Sequence, residues 1–418
     1  MKNSIPTTQS DHQSTEVRII DLPCGSGKTT NLISSFQEHQ NYLVVTPLLS
    51  EVERIIEGAK VPFQQPSSKN DRTKSEHLRD LLIWKQNVVT THALYSDLAA
   101  VAREGLLDDY HIIIDEVPEV AKQFDGKSPK SWEEFYINDG YAKVAPSGLV
   151  SPTAKWDADH EAVMDTLDIG IYHAAKAGCL YRLEDCFFMW ALPKELLSTG
   201  VSVTVYTYQA QGSLLLPYLK KMGIETRLQS CPATEAAFKK QAKELVSIKT
   251  ISALDGLVFS ASAQSSRKIK ERKLDKKVAI ALKNLKSREL KGVSDDMILL
   301  TCLKQNWFLN GKGYDARKPA PGPFASGANM FKTVHWLANT KRGTNEHAHC
   351  SHMIYLWDQH PNPYVAKWLG MSQGDKEAYA LTELIQWVWR SRVRKGAPIT
   401  LYLPSERMRR IFSTWLES

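Results

Sequence analysis

The stretch Val17-Arg-Ile-Ile-Asp-Leu-Pro-Cys-Gly-Ser-Gly-Lys-Thr-Thr30 decides the fold. Val17 to Asp21 is short, apolar and β-branched, the composition of a buried strand. Gly25 and Gly27 follow, and Leu32, Ile33 and Phe36 then recur at helical period. A strand, a glycine turn carrying Lys28-Thr29 and a helix form a phosphate-binding loop. The glycines let backbone N–H groups close on phosphate oxygens, and the helix N-terminus adds its positive end. Gly25, Ser26, Gly27, Lys28, Thr29 and Thr30 are therefore the candidate ATP contacts. Lys28 is the ammonium for the β- and γ-phosphates, and the Thr29 hydroxyl is a ligand for Mg²⁺. Leu22 stands where the longer form of this motif has its first glycine.

About 85 residues further on, Ile112-Ile113-Ile114 ends in Asp115-Glu116. A buried strand delivers both carboxylates at its carboxyl end, where α/β proteins bind ligands. Asp115 is the expected Mg²⁺ partner. Glu116 is the group that would orient or deprotonate an attacking water.

Working outward, short apolar runs recur along the chain. They are Val17–Asp21, Tyr42–Thr46, Val88–Thr90, His111–Ile114 and Val201–Tyr206, then Gly256–Phe259, Met297–Thr301, Thr333–Leu337, Met353–Trp357 and Ile399–Leu403. Many lack polar alternation, as strands covered on both faces do. Helical segments separate several of them, and Ser50 and Glu53 have capping-box spacing. The pattern predicts an α/β protein with two parallel-sheet domains, residues 17–232 and 233–418, after a loose tail at 1–16. An aromatic-rich insertion spans about 123–192. Its Trp132, Tyr136, Tyr141 and Trp156 read either as a packed core or as a stacking platform for bases.

Of the 418 residues, 43% are hydrophobic and the net charge is +7. Between Arg267 and Lys291, eleven Lys/Arg face three Asp/Glu. Such a stretch is either a polyanion-binding surface or a solvated helix face. No apolar run reaches the ~20 residues of a membrane span. With a polar N-terminus and six scattered cysteines, the expectation is a cytoplasmic chain with reduced thiols. His347, His349, Cys350 and His352 cluster, yet their spacing fits no usual zinc site, and a surface loop is expected there.

Together these motifs resemble superfamily 2 helicases of the DEAD/DEAH-like group. Thr46-Pro47-Leu48 is similar to motif Ia and Thr90-Thr91-His92-Ala93-Leu94 to motif Ib. Thr207 to Ala210 stands at motif III, Thr301 to Lys304 at motif IV, Arg342-Gly343-Thr344-Asn345 at motif V and Gln386 to Arg394 at motif VI. The wording of the last two resembles bacteriophage-encoded members, which would place the chain in host cytoplasm. The resemblance implies two RecA-like domains with ATP in the cleft between them. It also implies DNA or RNA gripped mainly through phosphates, at Thr46, Pro47, Thr91, His92, Lys304, Arg342, Thr344 and Asn345. The insertion offers a surface for protein partners. Departures include Val117-Pro118 after Asp-Glu and Trp389 at a usual glycine.

The last motif can be placed geometrically. One helix from Asp375 to Lys395, capped by Gly396, is expected. At about 100° per residue, Leu381, Leu384, Ile385 and Val388 form an apolar stripe. Gln386, Arg390 and Arg394 lie opposite it, and Arg392 falls beside it. That assigns Gln386, Arg390 and Arg394 to the catalytic set. Alternatives remain open: translocation without unwinding, a terminase-type ATPase, or a nucleotide-gated protein-binding factor.

Overall fold

The computed structural model describes residues 16–68, 72–124, 131–183, 187–265, 273–308, 321–325, 333–341 and 343–418. The chain forms two compact units. The first holds the segment ending at Ile20, Thr29–Tyr206 and Tyr218–Gln229; the second holds Asp21–Lys28, Thr207–Pro217 and Ser230–Ser418. The 1–15 part of the expected tail lies outside the described residues.

The first sheet contains β1 (Val17–Asp21), β2 (Asn41–Thr46), β3 (Val88–Thr91) and β4 (Tyr110–Asp115). The insertion supplies β5 (Ala121–Gln123), β6 (Ala142–Val144), β7 (Val150–Pro152), β8 (Leu180–Leu183) and β9 (Phe187–Ala191). The chain then returns as β10 (Ser202–Thr207) and β11 (Thr226–Ser230). Strand order in the main sheet is β11-β1-β10-β4-β2-β3. Strands β10, β4, β2 and β3 run parallel, with Tyr206 opposite Asp115 and Thr46 opposite Thr91. Val17, Ile19, Leu43, Val44, Val45, Ile112 and Ile114 are fully buried. That is what a sheet covered on both faces requires, and it explains why β2 and β4 show no polar alternation, while β1 keeps Arg18 exposed between two buried residues.

The insertion folds on its own antiparallel pieces, β5-β9-β8 and the hairpin β6-β7. Trp132, Tyr136 and Trp156 are buried in its core beside Ile171 and Phe188. Trp132 and Tyr136 stack at 4.7 Å, so both rings are spent on packing rather than presented to bases.

The second sheet comprises β12 (Val246–Lys249), β13 (Ile298–Thr301), β14 (His335–Trp336), β15 (His352–Tyr355) and β16 (Ile399–Tyr402), in the order β12-β16-β15-β13-β14. All neighbours are parallel. One face packs on Phe238, Leu384, Val388, Phe412 and Trp415; the other packs on Val278, Leu282, Leu285 and Phe324.

Three expectations need correction. Gly256–Phe259 is not a strand: it follows the 3-10 turn Ser252–Leu254, and Phe259 is buried from a loop whose carbonyl accepts the Gln264 amide at 2.7 Å. Ser50 does not cap a helix, because the cap position of the helix Leu49–Gly58 is Leu48, two residues earlier, and it has no side-chain cap. The helix foreseen to Lys395 is Gln373–Val388 alone. Trp389 ends it, and a separate 3-10 turn, Arg392–Lys395, runs to Gly396 at φ 75°. The reason is local. Ser391 accepts the Val393 amide and so caps the second turn, while Trp389 turns into the core, 4.3 Å from the Phe238 ring.

Candidate nucleotide and nucleic-acid site

The glycine loop expected to bind phosphate follows β1 directly. Gly25 and Gly27 sit at φ 82° and 81°, and a Cβ at either would meet nothing within 4 Å. Left-handed backbone, not crowding, is therefore what calls for glycine at both. Ser26 Oγ is buried and makes no hydrogen bond among the described residues. Lys28 is 9% exposed, and its ammonium donates to the Leu22 carbonyl at 3.0 Å. The loop thus closes on its lysine at the position where the longer motif has glycine.

Thr29, the second residue of the helix Lys28–Ser35, donates to Asp115 Oδ2 at 3.3 Å. Asp115 is 7% exposed at the end of β4. Glu116 is held at φ 62°, and its N–H donates to the Tyr206 carbonyl at 2.8 Å. A non-glycine residue in the left-handed region carries a cost, of the kind stored where side-chain aim matters. Thr30 Oγ1 accepts from Arg54 at 2.9 Å.

Sequence reasoning missed Asp21. Its carboxylate accepts the Gln209 and Ala210 amides at 2.8 and 3.0 Å, with Gln209 at φ 58°. Burial raises its pKa, against the pull of those two amides and of Lys28. Glu235 accepts from Tyr208 Oη at 3.1 Å and from Gln209 Nε2 at 3.3 Å, and burial raises its pKa as well. An acidic residue closing a strand was the available signal for Asp21. Its partners lie 188 and 189 residues away, beyond any local pattern. The same turn, Ala210–Gly212, packs on the helix Gln373–Val388. A Cβ at Gly212 would lie 2.0 Å from Thr382 Oγ1 and 2.3 Å from the Ala378 carbonyl oxygen.

The residues foreseen for nucleic acid divide. Thr46 is fully buried, its hydroxyl closing on the Leu48 carbonyl at 3.0 Å; Pro47 is half-buried. Thr91 ends β3, and His92 Nε2 lies 2.9 Å from the Asp115 carbonyl oxygen, which ties this segment to the carboxylate strand. Lys304 is half-buried at the start of a short helix. Thr344 is buried and Asn345 exposed; Arg342 lies outside the described residues. Arg390 is 6% exposed and donates to the Thr344 carbonyl at 3.4 Å, which brings the two late motifs together. Gln386 is 3% exposed, and its Oε1 has no hydrogen-bond partner among the described residues. Arg394 is exposed on the 3-10 turn, and Arg392 donates to the Pro398 carbonyl at 2.6 Å. The broken helix removes the shared face on which Arg390 and Arg394 were paired.

The residues of the loop suit ATP with Mg²⁺: a hydroxyl and a carboxylate meet at 3.3 Å, a buried lysine lies in the loop, and a serine hydroxyl is left over. Among the described residues, no helix is long and apolar enough to cross a membrane.

A family model described as the YonV C-terminal Rossmann-like domain matches residues 240–416. The SPbeta prophage-derived uncharacterized protein YonV of Bacillus subtilis (strain 168) is 26% identical over 435 residues, covering 96% of this chain and 99% of that protein. Among solved structures, one named XPD_APO matches with a TM-score of 0.50 at 12% identity, over 96% of this chain and 95% of that one. Another, named XPD_Helicase, matches with a TM-score of 0.44 at 14% identity, over 96% and 94%. The chain thus has an α/β fold with two parallel sheets, of the RecA-like two-domain kind.

Proposed function

We propose that this chain is an ATP-dependent nucleic-acid helicase or translocase. The observation that carries the reading is the Thr29 hydroxyl set 3.3 Å from the Asp115 carboxylate, 86 residues away in the chain. A glycine loop alone is a weak sign. A glycine loop whose threonine meets the acidic end of a buried parallel strand has the parts a nucleoside triphosphatase needs.

In this reading Gly25, Ser26 and Gly27 bind phosphate oxygens through the backbone, with Thr30 beside them. Lys28 exchanges the Leu22 carbonyl for phosphate. Thr29 and Asp115 hold Mg²⁺, which when bound neutralises charge on the phosphate oxygens. Glu116, held in its left-handed conformation, orients the attacking water. Arg390, Arg394 and Gln386 are the groups we assign to sensing the nucleotide from the second half of the chain. We take residues 17–232 and 233–418 as the two halves. DNA or RNA is the polymer, bound mainly through phosphates. The insertion, with its own core and exposed Phe135, Val144, Met164 and Ile169, is the part we offer to protein partners.

The test is the ATPase rate of the full chain with no polymer, then with single- and double-stranded DNA and RNA. At least one polymer should raise turnover severalfold, and a strand-displacement assay then separates unwinding from translocation. Turnover indifferent to all four polymers would replace the motor with a nucleotide-gated protein-binding factor. No turnover at all would remove the reading.

A further inference from the structure

The fold gathers a second set of ligating side chains away from the phosphate loop. The His-rich run 347–352 looked incomplete as a metal site because no partner ligands stand near it in sequence. Parallel pairing supplies them. Residue Leu299 of β13 faces His335 of β14, and Ile298 faces His352 of β15. The turn Asp295–Met297 leads into β13, and the Ser351 amide donates to the Met297 carbonyl at 2.9 Å. Asp296, His335, His347, His349 and Cys350 therefore meet at the amino ends of three adjacent strands.

Their ligating atoms fall into two overlapping sets, His335–His347–Cys350 and Asp296–His335–His349, with the atoms of each set within 4.8 Å of one another. The His335 ring lies 4.9 Å from that of His347 and 5.3 Å from that of His349, between centroids. His349 Nε2 lies 3.8 Å from Cys350 Sγ. His335 Nε2 meets Asp296 Oδ1 at 2.9 Å. Cys350 is fully buried, and His347 Nδ1 is buried with no hydrogen-bond partner among the described residues.

Three imidazoles packed together gain little from one another unless something holds their lone pairs. Sulfur with imidazole is the donor set of zinc, at bonds of about 2.0–2.3 Å in tetrahedral geometry. Since no two atoms of a set are more than 4.8 Å apart, closing on one ion asks a pair to draw in by at most on the order of 1 Å. Asp296 behind His335 matches the carboxylate that commonly orients a ligating histidine.

We propose that His335, His347 and Cys350 bind one Zn²⁺ ion, with His349 as the nearest imidazole for the fourth position and Asp296 orienting His335. On binding, a Zn–S bond replaces the Cys350 S–H bond, and the proton goes to solvent. The site lies at the opposite strand ends from those where α/β sheets bind substrates, so its role is structural. His335 and His347 bracket the segment carrying Thr344, whose carbonyl receives Arg390. Zinc would pin both ends of that segment.

The full chain, freed of metal by chelator and dialysis and kept free of nucleotide, is titrated with Zn²⁺ against a chromogenic chelator, and separately with Co²⁺. One equivalent of Zn²⁺ should bind and raise the thermal midpoint by roughly 5 °C at a hundredfold excess over Kd. Co²⁺ should give intense tetrahedral visible bands with a thiolate charge-transfer band. Cys350→Ser should abolish that band, His335→Asn should lose stoichiometric binding, and His352→Ala should change neither. Should Cys350→Ser fail to fold, the partly exposed His335→Asn and His349→Asn decide by the same titration. Binding well below one equivalent, binding unchanged in His335→Asn, or a weak octahedral cobalt spectrum would overturn the site and leave an imidazole–carboxylate pair.

Discussion

On the proposed reading Lys28 and Glu116 do different work, and their substitutions should separate. Lys28→Ala removes the loop's buried ammonium and leaves the Leu22 carbonyl without its donor. ATP affinity, measured by fluorescent-nucleotide titration, should fall at least ~100-fold. Glu116→Gln keeps Asp115 and Thr29 in place, so ATP should bind nearly as before while single-turnover hydrolysis slows by ~10³-fold. Wild-type turnover in both variants would mean the loop holds something other than ATP. The places of these two residues were legible in sequence because each rests on neighbours in the chain: glycines beside a lysine, two acids ending an apolar run. Asp21 was not, because what defines it is a pair of backbone amides, at Gln209 and Ala210, that only the fold brings near. The arginines must be judged by burial. Arg390→Ala vacates a 6% exposed position and frees the Thr344 carbonyl, so it should lower both the thermal midpoint and stimulated turnover. Arg394 is exposed, and Arg394→Ala should leave the midpoint unchanged. Stimulated turnover of Arg394→Ala at saturating ATP then decides its role: a loss of ~10-fold or more keeps it in the catalytic set, and full activity removes it.

The elements with one strong local signal came through sequence reading nearly residue for residue. β1, β2, β3 and β4 lie where short, mainly apolar and β-branched runs placed them. The helix before Arg390 shows where such reading stops. Leu384, Ile385 and Val388 are fully buried, so the apolar stripe was read correctly. Continuity was not, since a capping serine and a core tryptophan outweighed four further residues of helix propensity. Between the elements, Gly212 is the tightest of the described glycines. The added methyl of Gly212→Ala would overlap Thr382 Oγ1 and the Ala378 carbonyl. We expect a loss of about 1–3 kcal/mol in urea unfolding. Thr382→Ala should restore only part of it, because the backbone carbonyl remains. Full stability in Gly212→Ala would mean that the turn moves freely off the helix.

Over the whole molecule, charge and topology set the behaviour. Lys273, Lys276 and Lys277 stand exposed around the start of the helix Leu274–Arg288, whose Val278, Leu282 and Leu285 are buried. Lys268, Lys270 and Arg272 lie outside the described residues. Replacing all six with glutamine should weaken polymer binding and flatten its salt dependence by several charges in a log–log plot, with little change between sequences. An unchanged slope would return the segment to plain solvation. The alternation of strands and helices announced parallel sheets, yet it could not announce strand order, which depends on pairing between distant residues. Sequence order is what makes the second sheet vulnerable. β16, the last of its strands to leave the ribosome, is the one that lies between β12 and β15. Val246 must wait for Ile399 before it gains a neighbour on that side. Until then, β12 and the largely apolar β15 each present an unpaired edge in the nascent chain, a template for another copy. A truncation before Ile399 should therefore yield inclusion bodies rather than a shortened soluble protein, and chaperone demand should peak late in translation.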